Sequence, residues 1–299
     1  MRVRNLLHIC WLVMAVSVIA DEHADRAYRK EIRKWRADYE DRLKRDNGWL
    51  TLAGLYWVKE GENHFGTGSR NDFVLPEGSA PEAAGTFVFH NGQTRLRLQA
   101  GVQALLNGAP VLNETVLKPD SAGSPDRITL GHLSMIVIQR GSRHGIRLWD
   151  NQSPVRRDFK GTRWFPVKES YRISAKFTSY PQPKMIPILN VLGDTEQNPS
   201  PGYAEFAMDG NPCRLEPLLE GDHLFFIFKD ATSGKQTYPA GRFLYTGFPK
   251  DGKLILDFNQ AENPPCAFTA YATCPLPPRQ NHLRVAIEAG ELNHEHPTR

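Results

Sequence analysis

From Gly48 onward the chain is a succession of short runs rich in β-branched and aromatic residues, punctuated by Gly, Pro, Asn and Asp. Thr86-Phe87-Val88-Phe89, Thr94-Arg95-Leu96-Arg97-Leu98, Met135-Ile136-Val137-Ile138 and Gly145-Ile146-Arg147-Leu148 are examples. Period-two runs at close, regular spacing favour a sandwich or barrel of antiparallel strands. A second series begins at Tyr171-Arg172-Ile173-Ser174 and continues through Leu224–Phe228, Arg242–Tyr245 and Leu254–Phe258. The turn-forming cluster Asp150-Asn151-Gln152-Ser153-Pro154 stands between the two series. The expected fold is mainly β. One sandwich spans 48–153, a second antiparallel β domain (sandwich or barrel) spans 154–292, and a polar tail occupies 293–299.

One segment has a different period. Between residues 21 and 47 the apolar side chains are Tyr28, Ile32, Trp35, Tyr39 and Leu43. Steps of three and four place them on one face of an amphipathic helix, with opposite charges spaced to support it. Asn47-Gly48 ends it. The stripe is narrow and the polar face is mixed in sign, so the helix is expected to lie on the protein body rather than on a membrane.

Residues 1–20 read as an export signal. Arg2 and Arg4 precede an apolar run from Leu6 to Ala20, and Asp21-Glu22 follow at once. The run is short for a membrane span, and no later stretch is long and apolar enough to be one. The expected location is periplasmic or extracellular. The chain has 37 basic and 33 acidic side chains; residues 1–20 hold two of the former and none of the latter, which leaves +2. So small a bias gives no footing for nucleic acid or an anionic membrane as partner. Three cysteines remain after residue 20: Cys213, Cys266 and Cys274. Cys266 and Cys274 share a Pro-rich loop and are the first choice for a disulfide, with Cys213 either free or competing for the bridge.

The stretch Gly61-Glu62-Asn63-His64-Phe65-Gly66, then Asn71–Leu75, Leu106-Asn107-Gly108, Leu117–Asp120 and Ile128–Gly131, resembles the forkhead-associated fold. That resemblance implies a β-sandwich, which in many relatives binds phosphothreonine. The binding residues do not carry over. Thr67 stands where the family has Arg, and Pro81–Gly85 stands where it has a Ser-x-x-His turn. A phosphate needs a cation and converging donors, so phosphopeptide binding is not expected.

The C-terminal part carries a closer likeness. Asp257 to Pro278, with Asn263-Pro264-Pro265-Cys266-Ala267-Phe268 within it, resembles the domain-of-unknown-function family 1684. So do Asp230, Thr232, Gly234, Thr237-Tyr238 and Gly241-Arg242, and further up Gly48-Trp49-Leu50, Gly54–Trp57, Arg140-Gly141 and Phe165-Pro166. Glu262 stands where the family usually has Tyr. The resemblance implies kinship and no activity.

Arg242, Tyr238, Asp257, Asn259 and Asn263 are the candidate ligand-binding residues. Asp257 and Asn259 share a strand face by the two-residue period, and Arg242 and Tyr238 lie on neighbouring segments. Converging, they would hold a small carboxylate, sugar or amide. Alternatively Asp257 and Arg242 form a structural ion pair while the Asn side chains bond loop backbone. The motifs of serine hydrolases, phosphate-loop proteins and zinc proteases are absent, so no cofactor or metal is expected. A Cys266 nucleophile would need His223 or His282 beside it. Three functions stay open at this point: an exported small-ligand binder, an enzyme of hydrolase type using the Asp/Asn/Arg site, and a cell-envelope interaction module.

Overall fold

The computed structural model describes residues 25–294. It is mainly β, with a helix α1 over 25–44 ahead of the strands. The five predicted apolar positions of α1 face inward: Tyr28, Ile32, Tyr39 and Leu43 are buried and Trp35 is half-buried. Full burial of a side chain such as Ile32 contributes about 2 kcal/mol. The helix therefore lies on the body of the protein. It ends where Asn47 takes a positive φ of 59°. Gly48 follows because a Cβ there would stand 2.5 Å from the Leu43 carbonyl oxygen.

Eleven strands come next: β1 (Leu52–Trp57), β2 (Gly61–Gly66), β3 (Phe73–Val74), β4 (Gly85–His90), β5 (Gln93–Leu98), β6 (Leu105–Leu106), β7 (Ala109–Pro110), β8 (Thr115–Leu117), β9 (Arg127–Leu130), β10 (Leu133–Arg140) and β11 (Arg143–Asp150). They form a six-stranded sheet in the order β1-β11-β10-β9-β6-β7 and a five-stranded sheet in the order β3-β2-β4-β5-β8. Phe65, Phe87 and Leu96 of the second sheet meet Met135, Val137, Ile146 and Leu148 of the first in one core. This is the two-sheet sandwich expected from the alternation.

β10 and β11 are apolar on both faces. Leu133, Met135 and Val137 enter the sandwich core, whereas Ile136, Ile138 and Trp149 build a second cluster outside it with Leu52. The alternation thus sends Arg147 and Trp149 out of the sandwich. Register places Arg127 opposite Ile136, Ile136 opposite Arg147, and Arg147 opposite Leu55. One row across the outer face of the sheet therefore carries two guanidinium groups.

A short helix α2 (Pro154–Arg157), whose first turn is capped by Ser153 Oγ accepting from Val155 N at 3.2 Å, leads into the remaining strands. These are β12 (Arg172–Leu189), β13 (Thr195–Met208), β14 (Asn211–Leu215), β15 (Leu218–Glu220), β16 (His223–Phe228), β17 (Arg242–Thr246) and β18 (Lys253–Asp257). They pair as β14-β13-β12-β18 and β15-β16-β17. The two sheets curve as a half-barrel around Phe177, Phe206, Leu215, Phe226, Phe228, Leu256 and Phe258. After β18 the chain runs as loops and single 3-10 turns, Phe258–Gln260, Pro265–Ala267 and Arg279–Asn281. No helix among the described residues is long and apolar enough to cross a membrane. The segment read as an export signal lies outside the described residues.

Candidate functional site

The five side chains selected from the sequence divide among separate networks. Arg242 shares its strand face with Leu244, which packs in the half-barrel core. There its Nη2 donates to Asp230 Oδ2 at 2.8 Å and to the Ile287 carbonyl at 3.0 Å, and Nη1 donates to the Ala289 carbonyl. Both side chains of that pair are buried. Burial lowers the Arg242 pKa and the Asp230 carboxylate opposes the fall. Arg242 is thus a structural ion pair, and its partner is Asp230 rather than Asp257.

Asp257 stands at the end of β18 and caps the turn after it, accepting from Asn259 N at 3.1 Å. The Tyr28 hydroxyl donates to both its oxygens, at 2.8 and 2.9 Å. Burial raises the Asp257 pKa, against the hydrogen bonds from Tyr28 and Asn259. Asn259 in turn accepts from Lys168 N and donates to Lys168 O. Asp257 and Asn259 are together as expected, and what they hold is α1 and the segment before β12. Tyr238 donates to the Cys266 carbonyl at 3.0 Å. Asn263 lines an open cavity.

That cavity is a cleft of about 410 Å³ between the sandwich, α1 and the loop after β18. Arg127, Arg147 and Trp149 form its sandwich wall. Arg42 comes from the last turn of α1, Arg45 and Trp49 from the segment after it, and Glu262 and Asn263 from the loop. A second recess of about 390 Å³ shares Trp49, Arg147, Glu262 and Pro265 with it. The volume suits a small molecule. Glu262 is fixed by a backbone exchange with Phe243, two N–H···O bonds of 2.9 Å.

Polar atoms in this wall lack partners. Arg147 Nε, Trp149 Nε1, Asn47 Oδ1 and Asn263 Oδ1 are buried and make no hydrogen bond, although all four residues line the cleft. Buried polar groups are otherwise paired in folded proteins, so a cluster left open points to an occupant. The guanidinium of Arg127 lies 5.2 Å from the Trp149 ring centre, and that of Arg147 lies 6.0 Å from Trp49. Arg147 is held otherwise by one long bond, Nη2 to Thr273 Oγ1 at 3.3 Å. Burial pushes its pKa down to about 10, helped by the nearby Arg140.

Glu262 is the acidic side chain of the cleft, 3.8 Å from Arg42. Burial pushes its pKa up to about 7 despite that cation. Behind it, Glu291 accepts from Tyr39 OH at 3.1 Å and from Asn263 N at 2.7 Å. Burial, and the neighbouring Glu262, raise its pKa to about 8 against those hydrogen bonds. The cleft is therefore rich in cations and weakly countered by carboxylates, which favours an anion.

Sequence reading missed Arg127, Arg147 and Trp149. The signal was available for two of them: Arg147 and Trp149 have the same parity in an alternating strand whose other parity carries the core residues Ile146 and Leu148.

A family model described as "Protein of unknown function (DUF1684)" matches residues 157–292. An uncharacterised protein of Haloarcula marismortui, solved by solution NMR, is 33% identical. The likeness spans 46% of this chain and 78% of that one, with a TM-score of 0.39. The chain belongs to the DUF1684 family. Its family segment supplies the Glu262 and Asn263 side of the cleft, and the sandwich ahead of it supplies the Arg127, Arg147 and Trp149 side. The FHA-2 domain of a Mycobacterium tuberculosis ABC transporter is similar to 30% of this chain and is covered over 77% of its own length, at 24% identity and a TM-score of 0.24. The FHA domain of FhaA, solved with an intracellular domain bound, is similar to 31% of this chain and is covered over 96%, at 21% identity and a TM-score of 0.23. At such TM-scores these likenesses carry no argument, and the sandwich of this DUF1684 protein is defined by its own strand pairing. No curated protein matches the chain.

Proposed function

We propose that this DUF1684 protein is an exported binding protein for a small organic anion, held in the cleft between the sandwich and the C-terminal β region. The observation that carries the reading is the pairing of unsatisfied donors with an excess of positive charge. Arg147 Nε and Trp149 Nε1 are buried without acceptors, beside Arg127, Arg42 and Arg45. A carboxylate or phosphate would accept from the two donors, and its apolar part would lie against Trp49. Charge-assisted bonds of this kind are short and strong, and a guanidinium presents them in a fixed fork. The sandwich acts in this reading as one wall of the cleft and not as a phosphopeptide site. Thr67, standing at the position where the forkhead-associated pattern places Arg, is engaged with the Ala80 carbonyl at 3.3 Å. Export rests on residues 1–20.

The test is isothermal titration of the protein with mono-, di- and tricarboxylates, inorganic phosphate and sugar phosphates at low ionic strength. At least one multiply charged anion binds with a Kd in or below the micromolar range, and Arg127→Met weakens it about tenfold or more. A flat titration across the panel overturns the reading. Fusion of residues 1–24 to a reporter enzyme tests export separately: retention of the reporter in the cytoplasm contradicts it.

A further inference from the structure

Cys266 and Cys274 are free thiols of one loop, and they touch. Cys266 sits in the turn Pro265–Ala267 and is partly exposed, while Cys274 is buried. The Cys266 N–H donates to Cys274 Sγ at 3.1 Å. The hydroxyl of Tyr238 reaches the same turn, donating to the Cys266 carbonyl at 3.0 Å. These neighbours make Cys266 the more acidic thiol: the adjacent Cys274 lowers its pKa, with Tyr238 helping, against the burial that raises it. The Cys274 pKa is pushed up by the same pairing and by burial. The third thiol is remote: Cys213 packs in the half-barrel core with Phe206 and Leu215. The two histidines considered as partners from the sequence are engaged elsewhere. His223 pairs with Asp222 at 2.5 Å, and His282 Nε2 lies 3.2 Å from the Pro277 carbonyl.

An acidic, partly exposed thiol in contact with a buried one is the arrangement of an attacking and a resolving cysteine. We propose that Cys266 and Cys274 are a redox-active dithiol that exchanges with disulfides, Cys266 attacking and Cys274 resolving. The Cys266 thiolate attacks one sulfur of a disulfide RS–SR and expels RS⁻, which takes up a proton. Cys274 then loses its proton and attacks the Cys266 sulfur, expelling the second RS⁻. Two protein thiols are oxidised to one disulfide, and RS–SR is reduced to two RSH. The bridge closes the loop 266–274. That loop carries Phe268 of the cleft wall and Thr273, the hydrogen-bond partner of Arg147. The inference does not rest on the anion reading.

The test uses the full chain carrying Cys10→Ser, incubated with oxidised glutathione, then denatured and alkylated. The expected product has lost two hydrogens, takes up one alkyl group at Cys213, and yields a cross-linked peptide pair containing Cys266 and Cys274. With Cys274→Ser added, one glutathionyl group stays on Cys266. With Cys266→Ser instead, glutathionylation of Cys274 is about tenfold slower or more. A cross-link through Cys213, three alkylated thiols after oxidation, or equal rates in the two variants overturns the proposal. Tyr238→Phe, which keeps the ring packing, slows the Cys266→glutathione step. An unchanged rate removes Tyr238 from the account.

Discussion

Replacing Arg147 by Met separates a binding cation from a structural one. Burial takes the Arg147 pKa down to about 10. That is a fall of more than two powers of ten at about 1.4 kcal/mol each, so the folded state bears a cost of about 3 kcal/mol for keeping this charge. Met fills a similar volume and keeps the apolar stem in place against Trp49. What is lost is the 3.3 Å bond to Thr273 Oγ1, about 1 kcal/mol, and the weak contact of the guanidinium with the Trp49 ring at 6.0 Å, about 0.5 kcal/mol. The variant is therefore expected to be more stable by roughly 1–2 kcal/mol, or roughly 2–6 °C in Tm by calorimetry. The same change removes the unpartnered donor of a residue that lines the cleft and weakens anion binding by about 30- to 100-fold in titration calorimetry. A gain in stability with a loss of binding is what a binding residue held at a cost produces. If Arg147→Met instead lowers stability by more than about 1 kcal/mol, Arg147 is a structural cation and the reasoning fails.

The other expectations concern the carboxylates. Glu262 and Glu291 have folded pKa values of about 7 and about 8, above the ordinary carboxylate range. Between about pH 4.5 and 8 the folded state holds protons the unfolded chain has shed, so stability is fullest at the acid end and is lost as pH rises. Denaturant titrations from pH 5 to 8 should show that decline, and Glu262→Gln with Glu291→Gln should flatten it. Anion affinity should rise as pH falls through about 7 and lose that dependence in Glu262→Gln; equal slopes in both proteins would contradict the placement of Glu262. Asp230→Asn leaves buried Arg242 uncompensated and should destabilise by about 3–5 kcal/mol, read from the urea midpoint. Asp257→Ala should cost about 1–3 kcal/mol by releasing Tyr28 and Asn259 while leaving anion affinity within about twofold. Loss of affinity at unchanged stability would return Asp257 to the binding site.

How much of this was legible in the residues depends on the range of the interaction. The helix face of Tyr28, Ile32, Tyr39 and Leu43 follows from a local period, and so does the mainly β character of everything after Gly48. The neighbourhood of Asp257 and Asn259 was also local, though a capping turn rather than a flat strand face joins them. Arg242 was paired wrongly because its partner, Asp230, is chosen by which face of β17 enters the core. Polarity and proximity along the chain do not reveal that choice. The cleft was out of reach for a related reason. Arg127 and Arg147 come from β9 and β11, Arg42 from α1 and Glu262 from a loop after β18, and only the packing of the sandwich against the C-terminal region brings them together. Glu262 did stand out in the sequence, as a departure from the family's usual Tyr.

The most direct measurement is anomalous diffraction from crystals of this protein soaked in selenate, at a wavelength above the selenium edge. The account predicts a selenium peak within hydrogen-bonding reach of Arg147 and Trp149 Nε1, with Arg127 alongside, and no such peak in Arg147→Met crystals. A cleft holding only water while selenate binds elsewhere, or a peak that persists in the variant, would contradict it.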